Sequence, residues 1–183
     1  MAEVTRDGWI ALTAKILGQE GPSALTLERL TDREGQSRSA FEAQFRSVGA
    51  LILAVAQHWS DTESTAIAEV SRAPGSPVER LWAILGLTGA ADPPLERGVR
   101  ALAADYPEIG DLVRGADDRR ERALAVALVE AYQLEGPEAR HYARLLQALH
   151  IATSTRRPDE VVAYVSEPVR ALMSLLDSNF PVS

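Results

Sequence analysis

Between Thr26 and Ser47 the chain carries hydroxyl, amide and guanidinium side chains at close intervals: Thr26, Gln36, Ser37, Arg38, Ser39, Gln44, Arg46 and Ser47. Side chains of these types donate hydrogen bonds to phosphate oxygens, and Arg38 and Gln44 are also able to read guanine and adenine edges. No comparable constellation supports bond making and breaking. A nucleophile, a base and an orienting group do not stand together at any recognisable spacing, and there is no glycine loop of the phosphate-cradling kind. Cys is absent, which removes disulfides, thiolate metal sites and cysteine nucleophiles. His58, His141 and His150 lie far apart and lack a carboxylate at ligand spacing, so they read as packing or surface residues. No metal or other cofactor is expected, and an enzyme is the least supported class.

The elements that must hold those polar residues are legible around them. Thr26 can cap a short helix with Leu27 and Leu30 on its apolar face, closed at Glu34-Gly35. Ser37 then caps a second short helix whose buried side is Phe41 and Phe45, one turn apart. A helix, a glycine-containing turn and a second helix within about twenty residues is the plan of a helix-turn-helix. Before it, Trp9, Ile10, Leu12, Ala14, Ile16 and Leu17 share a broad helical face that ends at Gly21-Pro22. After it, Leu51, Ile52, Val55, Ala56 and Trp59 continue a helix from Ser47 to about Val70.

The formal net charge is −7 and 46% of the residues are apolar, enough for a real core. Residues 1–47 hold six bases and seven acids, a local balance of −1, so the helix-turn-helix is no basic patch. The apolar runs Ala50 to Ala56 and Ala123 to Val129 fall short of the ~20 residues that a membrane span needs. With Glu3 and Asp7 near the start there is no signal-peptide pattern, and a cytoplasmic setting is expected. The clusters Ala73 to Pro77 and Asp92 to Pro94 read as turns between helices. Helical periods then place helices over Val78 to Leu85, Leu95 to Ala104 and 107–134. The charged run Asp117 to Arg122 reads as a solvated face. No alternating strand pattern, hairpin signal or internal repeat occurs, so the chain is expected to be all-α.

Two stripes near the C-terminus have a/d-type spacing: Tyr142, Leu145, Leu149 and Ala152, then Val162, Val165, Val169, Leu172 and Leu176. Each could be intramolecular core or the seam between two copies of the chain. Trp82, Tyr106 and Tyr132 could line a ligand cavity, although aromatics on helices also serve as ordinary core.

Residues 8–59 resemble the DNA-binding domain of the TetR family of bacterial transcriptional regulators. The resemblance lies in Ile16-Leu17 and Gly21 closing a first helix, Ala24-Leu25-Thr26 opening the second, and Gly35-Gln36-Ser37-Arg38 at the turn. It continues through Phe45, Ser47 and Leu51, and more loosely through Arg100 to Pro107 and the Arg119-Arg120 pair. It implies an N-terminal three-helix helix-turn-helix domain, residues 1–47, joined by a linking helix to a C-terminal helical bundle for ligand binding and dimerisation, residues 48–183. It also implies a homodimer on double-stranded operator DNA, released by a small-molecule effector bound in residues about 78–150.

The departures fall where the family grips phosphates. In place of its Tyr-x-His-Phe the chain has Glu42-Ala43-Gln44-Phe45, and Val48-Gly49 follow Ser47 where a Lys or Arg is common. Glu42 stands one turn after Arg38, able to pair with it and to repel phosphate within a Debye length of ~8 Å. Two readings follow. One is a one-component regulator that binds operator DNA; the other is a TetR-like chain with weakened or lost DNA binding, serving as a ligand-binding or protein-interaction module.

Overall fold

The computed structural model describes residues 4–90, 93–155 and 166–180. Among these are nine α-helices, one 3-10 turn and no strand. Helix α1 (Arg6–Glu20) begins where the Thr5 hydroxyl accepts the Gly8 N–H at 3.2 Å. It ends at Gly21, whose φ of 81° is available to glycine at little cost. A 3-10 turn (Pro22–Ala24) leads into α2 (Leu27–Glu34), capped by Thr26, which accepts from Arg29 N–H at 3.3 Å. Gly35 stops α2 in the left-handed region, and the Gln36 N–H returns to the Thr31 carbonyl at 3.0 Å. Ser37 then caps α3 (Arg38–Gln44) by accepting from Ala40 N–H at 3.2 Å. The Ser47 hydroxyl accepts from Ala50 N–H at 3.1 Å at the start of α4 (Val48–Arg72), which is bent by 54° from α3.

The remaining helices are α5 (Pro77–Ala90), α6 (Pro93–Leu102), α7 (Pro107–Tyr132), α8 (Gly136–Thr155) and α9 (Glu167–Asn179). Helix α5 opens with a reciprocal capping box that the proline-glycine break conceals. Glu79 accepts from Ser76 N–H at 2.7 Å, while Ser76 accepts from Glu79 N–H at 3.2 Å. These bonds, the backbone one foremost, hold the Glu79 carboxyl below its ordinary range.

Packing groups the residues into two compact units: 1–62 with 94–113, and 63–93 with 114–183. In the first, Trp9, Ile16, Leu17, Leu30, Phe41, Phe45, Leu51 and Val55 are buried together with Val99 and Ile109. Trp9 meets Phe41 edge-on at 5.5 Å, and Phe41 stacks on Phe45 at 6.1 Å. Phe41 and Phe45 are therefore the floor beneath α3, as their spacing predicts. Gly98 of α6 lies against Leu17, where an added Cβ would come within 2.5 Å of Leu17 Cγ. In the second unit Leu81, Ile84, Leu124, Leu128, Tyr132, Leu146, Met173 and Leu176 share one core.

One sequence expectation is corrected here. The run Asp117 to Arg122 is not a uniformly solvated face, because Arg120 is wholly buried and ion-paired with Glu63, itself buried. Arg120 falls in step with Ile109, Val113, Ala116, Leu124, Ala127 and Ala131 on the inner side of α7. Its Nε and Nη1 find no acceptor among the described residues. Half-buried Asp117 takes a hydrogen bond from Gln147 Nε2 at 2.8 Å.

Candidate functional site

Helix α3 turns Phe41 and Phe45 into the core, which leaves Arg38, Ser39, Glu42 and Ala43 on its solvent side. Six of the eight predicted DNA-contact residues, Gln36, Ser37, Arg38, Ser39, Gln44 and Arg46, thus flank or belong to one short exposed helix. Thr26 and Ser47 stand at the starts of α2 and α4. Thr26, Ser37 and Ser47 all accept a backbone N–H as caps, and the Thr26 and Ser47 hydroxyls keep their own protons to donate. The Ser37 and Ser39 hydroxyls are 2.8 Å apart. Gln44 also contributes its backbone carbonyl, which accepts from Arg6 Nη1 at 3.3 Å.

The cations of this unit are largely engaged within it. Arg38 Nε donates to Glu42 Oε1 at 2.7 Å on the exposed face, a bond that, with the charge of Glu42, raises the guanidinium pKa further. Glu20 pairs with both Arg29 and Arg33, the latter at 2.5 Å. Arg6 lies 4.3 Å above the Phe45 ring. Among the described residues no acid pairs with Lys15 or Arg46. The bridging role of Glu20 was hidden from the sequence because its partners lie nine and thirteen residues further on, across a turn.

The predicted effector-lining aromatics belong to both units. Tyr132 is buried in the core of the second unit, its hydroxyl donating to Asp177 Oδ1 at 2.7 Å. Burial, that hydrogen bond and the Asp177 charge, in that order, raise the Tyr132 pKa well above the usual phenol range. Trp82 is 41% exposed on α5 of the same unit. Tyr106 belongs to the first unit and shares a cleft of about 210 Å³ with Arg46, Ser47 and Leu53.

The predicted subunit seam divides in the same way. Leu176 is buried, Val169, Leu172 and Tyr142 pack against the core, and Leu149 is half-buried. Leu145 is 54% exposed and Leu175, which the stripe omitted, 61%. Val162 and Val165 lie outside the described residues. Among those residues no group of His, Cys, Asp and Glu is placed to hold a metal ion. No single described helix is long and apolar enough to cross a membrane.

No family model matches the sequence, and no curated protein does. Solved structures do. A regulator of the TetR/AcrR family from Thermobifida fusca is 20% identical with a TM-score of 0.65, over 96% of this chain and 98% of that one. This chain has the fold of the TetR-type regulators. Escherichia coli NemR in its reduced form matches at 16% identity and a TM-score of 0.74, over 97% and 98% of the two chains. A transcriptional regulator from Rhodococcus sp. Rha1 matches at 19% identity and a TM-score of 0.70, over 94% and 92%. Within the TetR-type fold, α2 and α3 are the helix-turn-helix that the sequence predicts.

Proposed function

We propose that the chain is a one-component transcriptional regulator of the TetR type. Residues 1–47 present α3 to the major groove of operator DNA, and residues 48–183 bind a small-molecule effector and a second copy of the chain. The observation that carries this reading is α3 itself. Its apolar side chain, Phe41, is spent on Trp9 and Phe45, while Arg38, Ser39 and Glu42 are left outside with no packing duty. A two-fold pair of such helices would read two half-sites, and an effector that prefers one spacing of the pair would shift the population away from the DNA-bound form. A titration against DNA flanking its own gene, at low and at physiological salt, tests it. A complex at low salt is expected, and no shift of any fragment would refute the reading.

The pairing of Arg29, Arg33 and Arg38 with acids favours a second reading, in which operator binding has been lost and ligand or partner binding remains. Substituting Glu42→Tyr, Gln44→His and Val48→Lys separates the two. If the wild-type chain binds DNA, the triple variant improves an existing affinity modestly; if it does not, the variant creates affinity where there was none.

A further inference from the structure

The second unit carries a groove that none of the predicted site residues enter. It lies between the solvent side of α7 and the start of α8 and encloses about 410 Å³, within the range of small-molecule sites. Its floor is Ala125, Val126 and Val129; Val126 is 58% exposed and Val129 39%, a local cost in water without any packing return. Two acids and two arginines rim it, and their engagement differs. Glu121 accepts from Arg144 Nε at 3.1 Å, and Glu130 accepts from Arg80 Nη2 at 2.8 Å. Arg122 and Arg140 have no acid partner among the described residues, and both are exposed. The Arg140 guanidinium lies over Gly136, with Nη1 3.7 Å from the position a Cβ there would take, so bare backbone and a cation form that end of the groove. Arg122, Val126 and Glu130 also line a neighbouring cleft of about 230 Å³, whose far wall includes Ile84 and Ala127, so apolar surface continues past Val126.

We propose that this groove binds an amphipathic anion, with an apolar chain over Val126 and Val129 and a carboxylate or phosphate head between Arg122 and Arg140. Charge decides the class. The acids at the rim are neutralised by Arg80 and Arg144, which leaves two guanidinium groups whose planar forks suit an oxyanion. A cationic amphiphile would meet that pair unfavourably, and an uncharged one would leave it without a counterpart. The proposal rests on the ligand-binding half of the regulator reading and needs nothing from DNA binding.

The test is a titration of the full chain, carrying methyl-labelled valine, with octanoate, octyl phosphate and octanol, each below its aggregation limit. Octanoate or octyl phosphate should shift the Val126 and Val129 methyl resonances, and whichever binds more tightly identifies the head group. In the variant R122Q/R140Q the anion should bind about tenfold more weakly, while octanol binding is unchanged. Both arginines are exposed, so this variant should keep the fold, which the remaining methyl signals would report. Equal affinity for octanol and the anions, insensitivity to the arginine substitutions, or no shift at Val126 and Val129 with any of the three would overturn the proposal. Because no DNA is present, a negative result here leaves the operator-binding reading standing. Conversely, a chain that fails to bind DNA can still pass this test.

Discussion

Two polar contacts in the second unit, one buried and one partly so, show how single residues govern it. Arg120 and Glu63 form an ion pair with almost no exposure, so the strength of that pair depends on both charges being present. Glu63→Gln strands a buried guanidinium, and a loss of ~3–5 kcal/mol is expected in urea unfolding. The double substitution Glu63→Leu with Arg120→Met should recover most of that loss, since it removes both desolvated charges together. Tyr132 donates its hydroxyl proton to Asp177, and Tyr132→Phe should cost about 1 kcal/mol at neutral pH. The folded pKa of Tyr132 is raised, so its stabilisation is complete below the unfolded value of about 10 and is lost as pH rises beyond it. Urea midpoints measured from neutral pH to above pH ~10 should therefore show the advantage of the wild type over Tyr132→Phe shrinking at the alkaline end.

At the scale of elements, close approach matters more than propensity. In an exposed helix Gly→Ala gains up to ~1 kcal/mol. Gly98 lies where a Cβ would overlap Leu17, so Gly98→Ala should instead destabilise by ~1–3 kcal/mol, read from thermal unfolding. Such a contact could not be seen in the sequence, because Leu17 and Gly98 are far apart in the chain and nothing local marks the approach. The helix-turn-helix was legible because its signals are local: the Thr26 and Ser37 caps, the Gly35 stop, and Phe41 one turn from Phe45. The capping box at Ser76 and Glu79 was equally local, but the surrounding prolines and glycine made the segment read as a break. Arg120 was misread because a run of charges suggests solvent, while its register with Val113, Ala116 and Leu124 already placed it inward. Glu63, four residues from Trp59 and four from Ile67 in α4, carried the same signal.

For the whole molecule the sequence showed which residues are apolar at helical spacing but not which partner each stripe meets. Leu172 and Leu176 turn inward, whereas Leu145 and Leu175 stay exposed. A homodimer seated on α8 and α9 should be disrupted by Leu145→Glu with Leu175→Glu, whose exposed positions leave the fold intact. Sedimentation should show two-chain particles for the wild type and single chains for the variant, and a wild-type monomer at micromolar concentration would count against that seam. Tyr132 is buried in the core of the second unit with its hydroxyl on Asp177, a partner forty-five residues away that no local spacing announces. Engagement of Arg29, Arg33 and Arg38 by acids leaves few cations in this unit to displace counterions from a nucleic acid.

Operator binding across a salt series tests the central claim most directly. Fluorescence anisotropy of the wild-type chain with a duplex from its own upstream region should show saturable binding of two chains per site at low salt. The affinity should fall with salt on a shallow slope, as expected when few phosphates are neutralised. The absence of any saturable complex at low salt, with the Glu42→Tyr, Gln44→His, Val48→Lys variant binding the same duplex under the same conditions, would contradict the account.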